Sequence, residues 1–184
     1  MMRAFTVLIM CLMALPAHAT EAGWALLRNG GQIVLLRHAI APGSGDPANF
    51  EIGKCGTQRK LSDRGRQQAE KIGALFAARA NNPELVLTSR YCRTRDTARI
   101  AFEDSPIEEF AALDELPKDA TAAAAANEEV MARISDYSGS GNMVMVTHLE
   151  NIKALTGVSP REGEAVIVSR SDNGLRVLGR IIFN

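Results

Sequence analysis

Short apolar runs alternate along this chain with segments whose apolar residues recur at helical spacing. Each run has the length of a buried strand, and helical patterns separate most of the runs. Such alternation predicts an α/β fold: a three-layer sandwich with a mostly parallel central sheet and helices on both faces. The predicted strands are 32–36, 85–87, a weaker 107–110 and 142–147, and the closing pair 165–169 and 175–183 can form an antiparallel hairpin at the sheet edge.

Helix signals lie around these runs. Ser62 is a suitable N-cap, and the apolar residues after it recur at helical spacing. Further helices are predicted over about 91–102 and about 150–155, with a short helical stretch at 24–28. The alanine run 122–126 predicts a helix rather than a linker, because alanine is a strong helix former. The buried face of the helix after Ser62 is predicted to consist of Ala69, Ile72, Leu75, Phe76 and Ala80.

The first nineteen residues have the pattern of an export signal. Arg3 supplies a positive start, residues 5–15 form an uncharged apolar segment, and residues 16–19 end in the small-x-small pattern that signal peptidase cleaves, which places the cut before Thr20. A retained anchor is the alternative, but spanning a bilayer takes about 20 apolar residues. We therefore expect no stable membrane anchor, a periplasmic or secreted location, and a single mature domain over residues 20–184.

Charge in this chain is balanced, with 21 basic and 21 acidic side chains. A chain with no net charge has no general attraction to nucleic acid or to an anionic membrane surface. Nucleic acid is therefore not an expected partner, and the basic residues matter where they cluster.

Two histidines follow predicted strands. His38 comes after the first run, directly behind Arg37, and His148 comes after the run 142–147. In an open α/β sheet, ligands bind at such strand ends, where loops converge and helices begin. Either histidine alone can be a packed structural side chain, but two imidazoles and a guanidinium at these positions indicate phosphate chemistry.

Two cysteines, Cys55 and Cys92, lie outside the export signal. They are either buried thiols or a disulfide between the long loop after His38 and the segment that holds Arg93, and an oxidising compartment favours the disulfide. A zinc site built from both cysteines with His38 and His148 is disfavoured, because no two of these residues have the close spacing of structural zinc ligands. We therefore predict no metal.

Four segments carry a family resemblance. Leu36-Arg37-His38-Ala39 resembles an Arg-His-Gly signature, with Ala39 in the place of glycine, and the segment 61–69 is similar to a Leu-x-x-x-Gly-x-x-Gln-Ala helix start. The segment 89–98 resembles Ser-Pro-Leu-x-Arg-x-x-Gln-Thr-Ala, and 146–148 resembles a second-histidine motif. The motifs and their order are similar to those of the histidine phosphatase superfamily, the phosphoglycerate-mutase-like proteins.

This resemblance implies a role for each site residue. His38 would be the nucleophile that forms a phosphohistidine, and Arg37 and Arg93 would bind the phosphate through paired hydrogen bonds that an ammonium group cannot reproduce. His148 would add a third positive donor. Nearby cations disfavour a charge on His38, which keeps its ring neutral and nucleophilic. No cofactor is implied.

Three carboxylates are candidates for the general acid that protonates the leaving oxygen. In the phosphoglycerate mutase branch a glutamate after the third strand is the general acid, which indicates Glu115 or its neighbour Asp114 in this chain. The acid phosphatase branch uses His-Asp at the second histidine, but here Leu149 follows His148 and the carboxylate is displaced to Glu150. One residue turns a helical side chain by about 100°, so we favour Glu115.

The resemblance and the export signal together predict an exported phosphatase that hydrolyses phosphate monoesters of small molecules without a metal. Two alternatives stay open. One is a phosphoglycerate-mutase-type phosphotransferase. The other is a phosphate-binding module of the same fold without turnover, which is favoured by the differences from the family motifs at Ala39 and Leu149. We expect the loops 42–60 and 117–126 to determine substrate specificity, but their composition does not identify a substrate.

Overall fold

In the computed structural model, the described part of the chain is residues 15–183. Residues 1–14, which make up most of the predicted export signal, lie outside the described residues, so the signal and its cleavage before Thr20 stay predictions. The described elements in chain order are α1 (Leu15–Arg28), β1 (Ile33–Arg37), α2 (Asp63–Arg79), β2 (Leu85–Thr88), α3 (Cys92–Ala101), β3 (Ile107–Glu109), α4 (Ala120–Asp136), β4 (Met143–Thr147), α5 (Leu149–Thr156), β5 (Ala165–Ser171) and β6 (Gly174–Ile181).

The sheet has six strands in the order β3-β2-β4-β1-β5-β6. β3, β2, β4 and β1 pair in parallel, whereas β5 pairs antiparallel with both β1 and β6. The predicted α/β class is thus confirmed, together with the antiparallel hairpin at one edge.

Helices cover both faces of this sheet, because successive side chains of a strand point to opposite sides. Val34 and Leu36 of β1 belong to a core shared with α1, α2 and α3, and Ile33 and Leu35 belong to a second core shared with α4 and α5. The three predicted layers are therefore present. In the first core Trp24 packs edge-on against Phe76 and Phe183.

The helix α2 begins as the sequence predicts. The Ser62 Oγ accepts a hydrogen bond from the Gly65 N–H at 3.0 Å, which satisfies one free donor of the first turn. Gly65 itself lies against the carbonyl oxygen of Ile40, where any Cβ would clash. This close approach holds the chain after His38 against α2 and explains why a glycine stands at this position of the motif.

Two predicted elements differ from the structure. The described part of α1 is Leu15–Arg28, so this helix extends ahead of residue 24, where the sequence predicts its start, through a segment that contains the helix-forming alanines Ala17, Ala19 and Ala22. The predicted loop 117–126 is a loop only up to Asp119, since the Asp119 side chain accepts from the Ala122 N–H and α4 starts at Ala120. No helix among residues 15–183 is long and apolar enough to cross a bilayer.

Candidate active site

His38 and His148 lie side by side at one edge of the sheet. Arg37 of β1 is opposite Thr147 of the adjacent parallel strand β4, so each histidine is the first residue beyond its strand. The His38 N–H donates to the Thr147 carbonyl at 3.1 Å, and the two ring centroids are 5.7 Å apart. The neighbouring strand β2 ends there too, and Ser89 follows it.

A backbone contact assigns the proton of His38. Its Nδ1 lies 2.8 Å from the Ala39 carbonyl oxygen, and a carbonyl can only accept a hydrogen bond. Nδ1 therefore carries the proton and Nε2 carries the lone pair in the neutral ring. Burial lowers the pKa of His38 from its ordinary value of 6.5 to about 3, with further lowering from Arg93, Arg37 and Arg59, while the bond to Ala39 acts in the opposite direction. The ring is thus neutral at physiological pH.

Arg93 is the fully buried cation of the site. It is the second residue of α3, and its Nη1 donates to the Asp46 carboxylate at 3.0 Å. Its Nη2 donates to the Glu115 carboxylate and also lies 3.3 Å from the His148 Nδ1. The guanidinium also lies over the Tyr91 ring, 4.7 Å from its centroid. Arg93 therefore joins residues from four separate segments.

His148 is held as a neutral ring between a donor and an acceptor. Since a guanidinium can only donate, the His148 Nδ1 accepts from Arg93, and the proton lies on Nε2. The Nε2 group donates to the Ser89 Oγ at 2.9 Å, and Ser89 in turn donates to Asp114 at 3.0 Å. Burial, followed by Arg93 and His38, holds the pKa of His148 well below its ordinary value. Burial and the neighbouring cations thus disfavour a charge on His148 in the free site, and its role as a positive donor to phosphate stays a prediction.

The three candidate acids lie in different surroundings. Glu115 is 40% exposed, contacts Arg93 and lies 3.9 Å from the His148 Nδ1. Asp114 is held by Ser89 and by an ion pair with Arg90. Glu150 is exposed on α5 and pairs with Lys153 at 3.7 Å. Of the three carboxylates, Glu115 is thus the one that contacts the buried guanidinium at the histidine pair.

Two further guanidinium groups complete the positive charge. Arg37 donates to the Pro160 carbonyl at 3.0 Å and lies 3.8 Å from Glu162. Arg59 donates to the Gly43 carbonyl at 2.6 Å and lies 4.0 Å from Glu115. Within the described residues, the buried Nε groups of Arg37, Arg59 and Arg93 have no hydrogen-bond partner. Buried donors of this kind are costly unless a ligand meets them.

Sequence reasoning missed three residues of this cluster. Arg59 and Asp46 belong to the long loop after His38, where no periodicity or spacing rule identifies a side chain that turns inward. Ser89 opens a motif that was recognised, but only the folded chain shows that its hydroxyl links His148 to Asp114. Arg59 thus adds a third guanidinium near the two histidines.

The predicted disulfide is present between Cys55 and Cys92, whose Cα atoms are 5.6 Å apart. It joins the long loop to the first residue of α3, next to Arg93. The buried Gln58 strengthens this junction, because its side-chain oxygen accepts from the Cys92 N–H at 2.9 Å. Both sulfur atoms are used in the bond and are not free to ligate zinc, and the described residues contain no group of three or more metal-binding side chains arranged around a common point.

A mostly parallel sheet that brings two histidines and three arginines together at one edge forms a site suited to binding phosphate. The family model of the histidine phosphatase superfamily (branch 1) matches residues 33–120, which include His38, Arg93 and Glu115. Over this segment, which is slightly less than half of the chain, the sequence is similar to that superfamily. No curated protein matches the sequence.

Solved structures share the fold at low sequence identity. One is named as the phosphohistidine phosphatase SixA from Agrobacterium tumefaciens, with 19% identity, a TM-score of 0.60, and coverage of 82% of this chain and 97% of that one. A second is named as an alpha-ribazole-5'-P phosphatase from Escherichia coli, with 18% identity, a TM-score of 0.62, and coverage of 82% and 96%. A third is a phosphoserine phosphatase from Entamoeba histolytica, with 13% identity, a TM-score of 0.60, and coverage of 82% and 96%.

Proposed function

We propose that this protein is an exported phosphatase that hydrolyses phosphate monoesters through a phosphohistidine on His38. The observation that carries the proposal is the tautomer of His38: Nδ1–H is bound to Ala39, so the lone pair of a neutral ring is on Nε2, beside three guanidinium groups. A nucleophile with a free lone pair next to concentrated positive charge is what attack on an anionic phosphoryl group requires.

Substrate phosphate would take the place that two carboxylates hold in the free site. Asp46 and Glu115 bind Arg93 from different directions. A phosphate group offers more oxygen acceptors than either carboxylate and can accept two parallel hydrogen bonds from one guanidinium. Arg37 and Arg59 would neutralise the remaining negative charge of the phosphate. Their buried Nε groups have no hydrogen-bond partner among the described residues and could donate to it.

In the first step the His38 Nε2 lone pair forms a bond to phosphorus, and the bond between phosphorus and the ester oxygen breaks with its electron pair on that oxygen. Glu115 supplies the proton that makes the leaving group an alcohol. The Ala39 carbonyl stabilises the phosphorylated ring through Nδ1–H.

In the second step water attacks phosphorus, and Glu115 accepts a proton from it. The bond between phosphorus and nitrogen breaks, its electron pair returns to His38, and inorganic phosphate leaves. The names of the structural relatives, three phosphatases, support hydrolysis over phosphoryl transfer to a second alcohol. The organic part of the substrate is a small molecule in this proposal.

Export is the second part of the proposal. Residues 1–19 would be removed, and residues 20–184 would act as one domain in the periplasm or outside the cell. The disulfide between Cys55 and Cys92 supports an oxidising compartment, where such bonds form and persist. Recovery of the processed chain, beginning at Thr20, from the periplasm or medium would establish this step.

The test of the chemistry is a rapid-quench experiment with a radiolabelled aryl phosphate and excess chelator. We expect a protein-bound label that is stable to alkali and labile to acid, as a phosphohistidine is, together with release of inorganic phosphate. Chelation is expected not to reduce turnover, because arginines supply the charge that a metal would otherwise bring. His38→Ala should remove both label and turnover while its unfolding curve shows a folded protein. A label that persists in His38→Ala, or one that is stable to acid, would contradict the proposal.

A further inference from the structure

A groove of about 300 Å³ opens beside Glu115, outside the guanidinium cluster. The groove is lined by residues of the long loop after His38, by residues of the segment that leads into α4, and by Tyr91. The residues that define it for this argument are Phe50, Ile52, Tyr91, Ala112, Glu115 and Pro117. Its volume is at the lower end of the range for small-molecule sites, about 300 to 1,000 Å³.

The groove begins where the bond to the leaving group would break. Glu115 lines it and also contacts Arg93, and the Tyr91 ring packs edge-on against His148 with centroids 4.9 Å apart. The ester oxygen that Glu115 protonates must lie within hydrogen-bond reach of this carboxyl. The carbon atoms attached to that oxygen are therefore led toward this groove, away from the phosphate.

Apolar side chains form part of the groove's lining, beside the charged Arg90, Asp114 and Glu115. Phe50 stacks on Tyr91 with ring centroids 5.0 Å apart, and Ala112 and Pro117 also line the groove. Ile52 is 40% exposed and is one of two large apolar side chains left exposed among the described residues. An apolar ligand that covers this exposed isoleucine would gain binding free energy, because apolar surface is removed from water.

The charged groups that line the groove do not favour a second anion. Arg90 is paired with Asp114 at 2.6 Å, and Glu115 is paired with Arg93. Arg90 and Asp114 thus compensate each other, and Glu115 carries the proton that it gives to the leaving oxygen, so the groove has no unpaired cation for a carboxylate or a second phosphate on the substrate. This distribution distinguishes the groove from the cation-rich cluster around His38.

We propose that this groove binds the leaving group of the substrate and selects uncharged, largely apolar alcohols, so that the preferred substrates are phosphate monoesters of such alcohols. The proposal rests on the phosphatase function proposed above, because it assigns the leaving group of that reaction. It places specificity in Phe50, Ile52 and Tyr91, while the arginines recognise the phosphate that all substrates share.

Binding of phosphonates tests the groove without any need for turnover. Calorimetry would compare methylphosphonate, benzylphosphonate and phosphonoacetate on the mature protein. We expect benzylphosphonate to bind at least about tenfold more tightly than methylphosphonate, a gain that corresponds to 1.4 kcal/mol. Phosphonoacetate should bind no more tightly than methylphosphonate, because its carboxylate finds no unpaired cation in the groove, where Arg90 is already bound to Asp114.

Ile52→Asn should abolish the advantage of the benzyl group and leave methylphosphonate binding unchanged within about twofold, since the change removes apolar surface from the groove and adds no charge near the phosphonate. The matched control is Ile182→Asn at the other exposed isoleucine, which lies outside this groove and should change neither affinity. The proposal is overturned if benzylphosphonate gains nothing in the unmodified protein or if Ile52→Asn weakens both ligands equally. Selective phosphonate binding without phosphoester turnover would support the groove and reject the phosphatase function.

Discussion

Hydrogen-bond partners decide which nitrogen of each histidine carries a proton. The carbonyl of Ala39 forces the proton of His38 onto Nδ1, and the guanidinium of Arg93 forces that of His148 onto Nε2. The two rings therefore have different roles in the free protein: His38 has an Nε2 lone pair available for attack, and His148 links Arg93 to Ser89 and Asp114.

Glu115→Gln tests the general acid at this scale. The amide cannot give up a proton, so alkyl phosphates should slow by about 10²- to 10⁴-fold, whereas aryl esters with good leaving groups should slow far less. The measurement is kcat for both ester types. Glu150→Gln is the matched control, because that carboxylate pairs with Lys153 on the surface, and we expect no leaving-group effect from it. Equal loss on both ester types in Glu115→Gln would assign Glu115 to binding or folding instead.

The element that determines the position of Arg93 is the start of α3 together with the long loop that covers it. Asp46 of that loop binds Arg93, Gln58 binds the N–H of Cys92, and the disulfide joins Cys55 to the same residue. Arg59, at the end of the loop, adds the third guanidinium. A loop with few apolar contacts is thus held by one covalent bond and several polar ones.

Reduction of this disulfide is predicted to cost stability. The chain-entropy relation for a sequence separation of 37 gives on the order of 4 kcal/mol, a large share of the roughly 5 to 15 kcal/mol typical of a domain. Urea unfolding with and without reductant measures the loss, and the double variant Cys55→Ser with Cys92→Ser should be insensitive to reductant. KM should rise on reduction, because Arg59, which is proposed to bind the substrate phosphate, loses its fixed position. Two free thiols in protein from the exporting compartment would contradict the prediction.

At the scale of the whole molecule, two cores on opposite faces of one sheet bring the strand ends together. The register that places Arg37 opposite Thr147 makes the two histidines neighbours although 110 positions separate them. Both rings are buried and neutral, so the fold itself disfavours their protonated forms.

Stability should therefore fall as pH falls below about 6.5. In the unfolded chain each histidine binds a proton near its ordinary pKa of 6.5, whereas the folded pKa of His38 is about 3 and that of His148 is also lowered. Between these values the unfolded state holds more protons, and each histidine removes up to about 1.4 kcal/mol per pH unit.

Urea unfolding at a series of pH values from 7 to 4 measures this slope. His38→Gln should reduce the slope by the share of one histidine, because glutamine does not titrate, and a second change at His148 should reduce it further. An unchanged slope in the double variant would mean that carboxylates alone cause the acid sensitivity.

Local patterns determined much of this fold. Periodicity in the sequence predicts the strands and the helices α2 to α5, the Ser62 cap follows from residue chemistry alone, and the motifs at 36–39 and 89–98 indicate His38 and Arg93 as site residues. These features depend on neighbours within a few positions along the chain, which is the range over which propensity and amphipathic spacing act. The part of α1 ahead of residue 24 was not predicted, since the residues ahead of Thr20 were interpreted as an export signal.

Only the tertiary structure decided which strands are neighbours and which side chains of the long loop turn inward. Strand order depends on long-range packing that no local period encodes, so the closeness of β1 and β4, and with it the pairing of His38 and His148, required the folded sheet. The same holds for Asp46 and Arg59: their contacts with Arg93 and Glu115 depend on a loop whose course is set by a disulfide and by polar contacts across the fold. The charge state of His148 follows from burial, which exists only once the layers have closed around it.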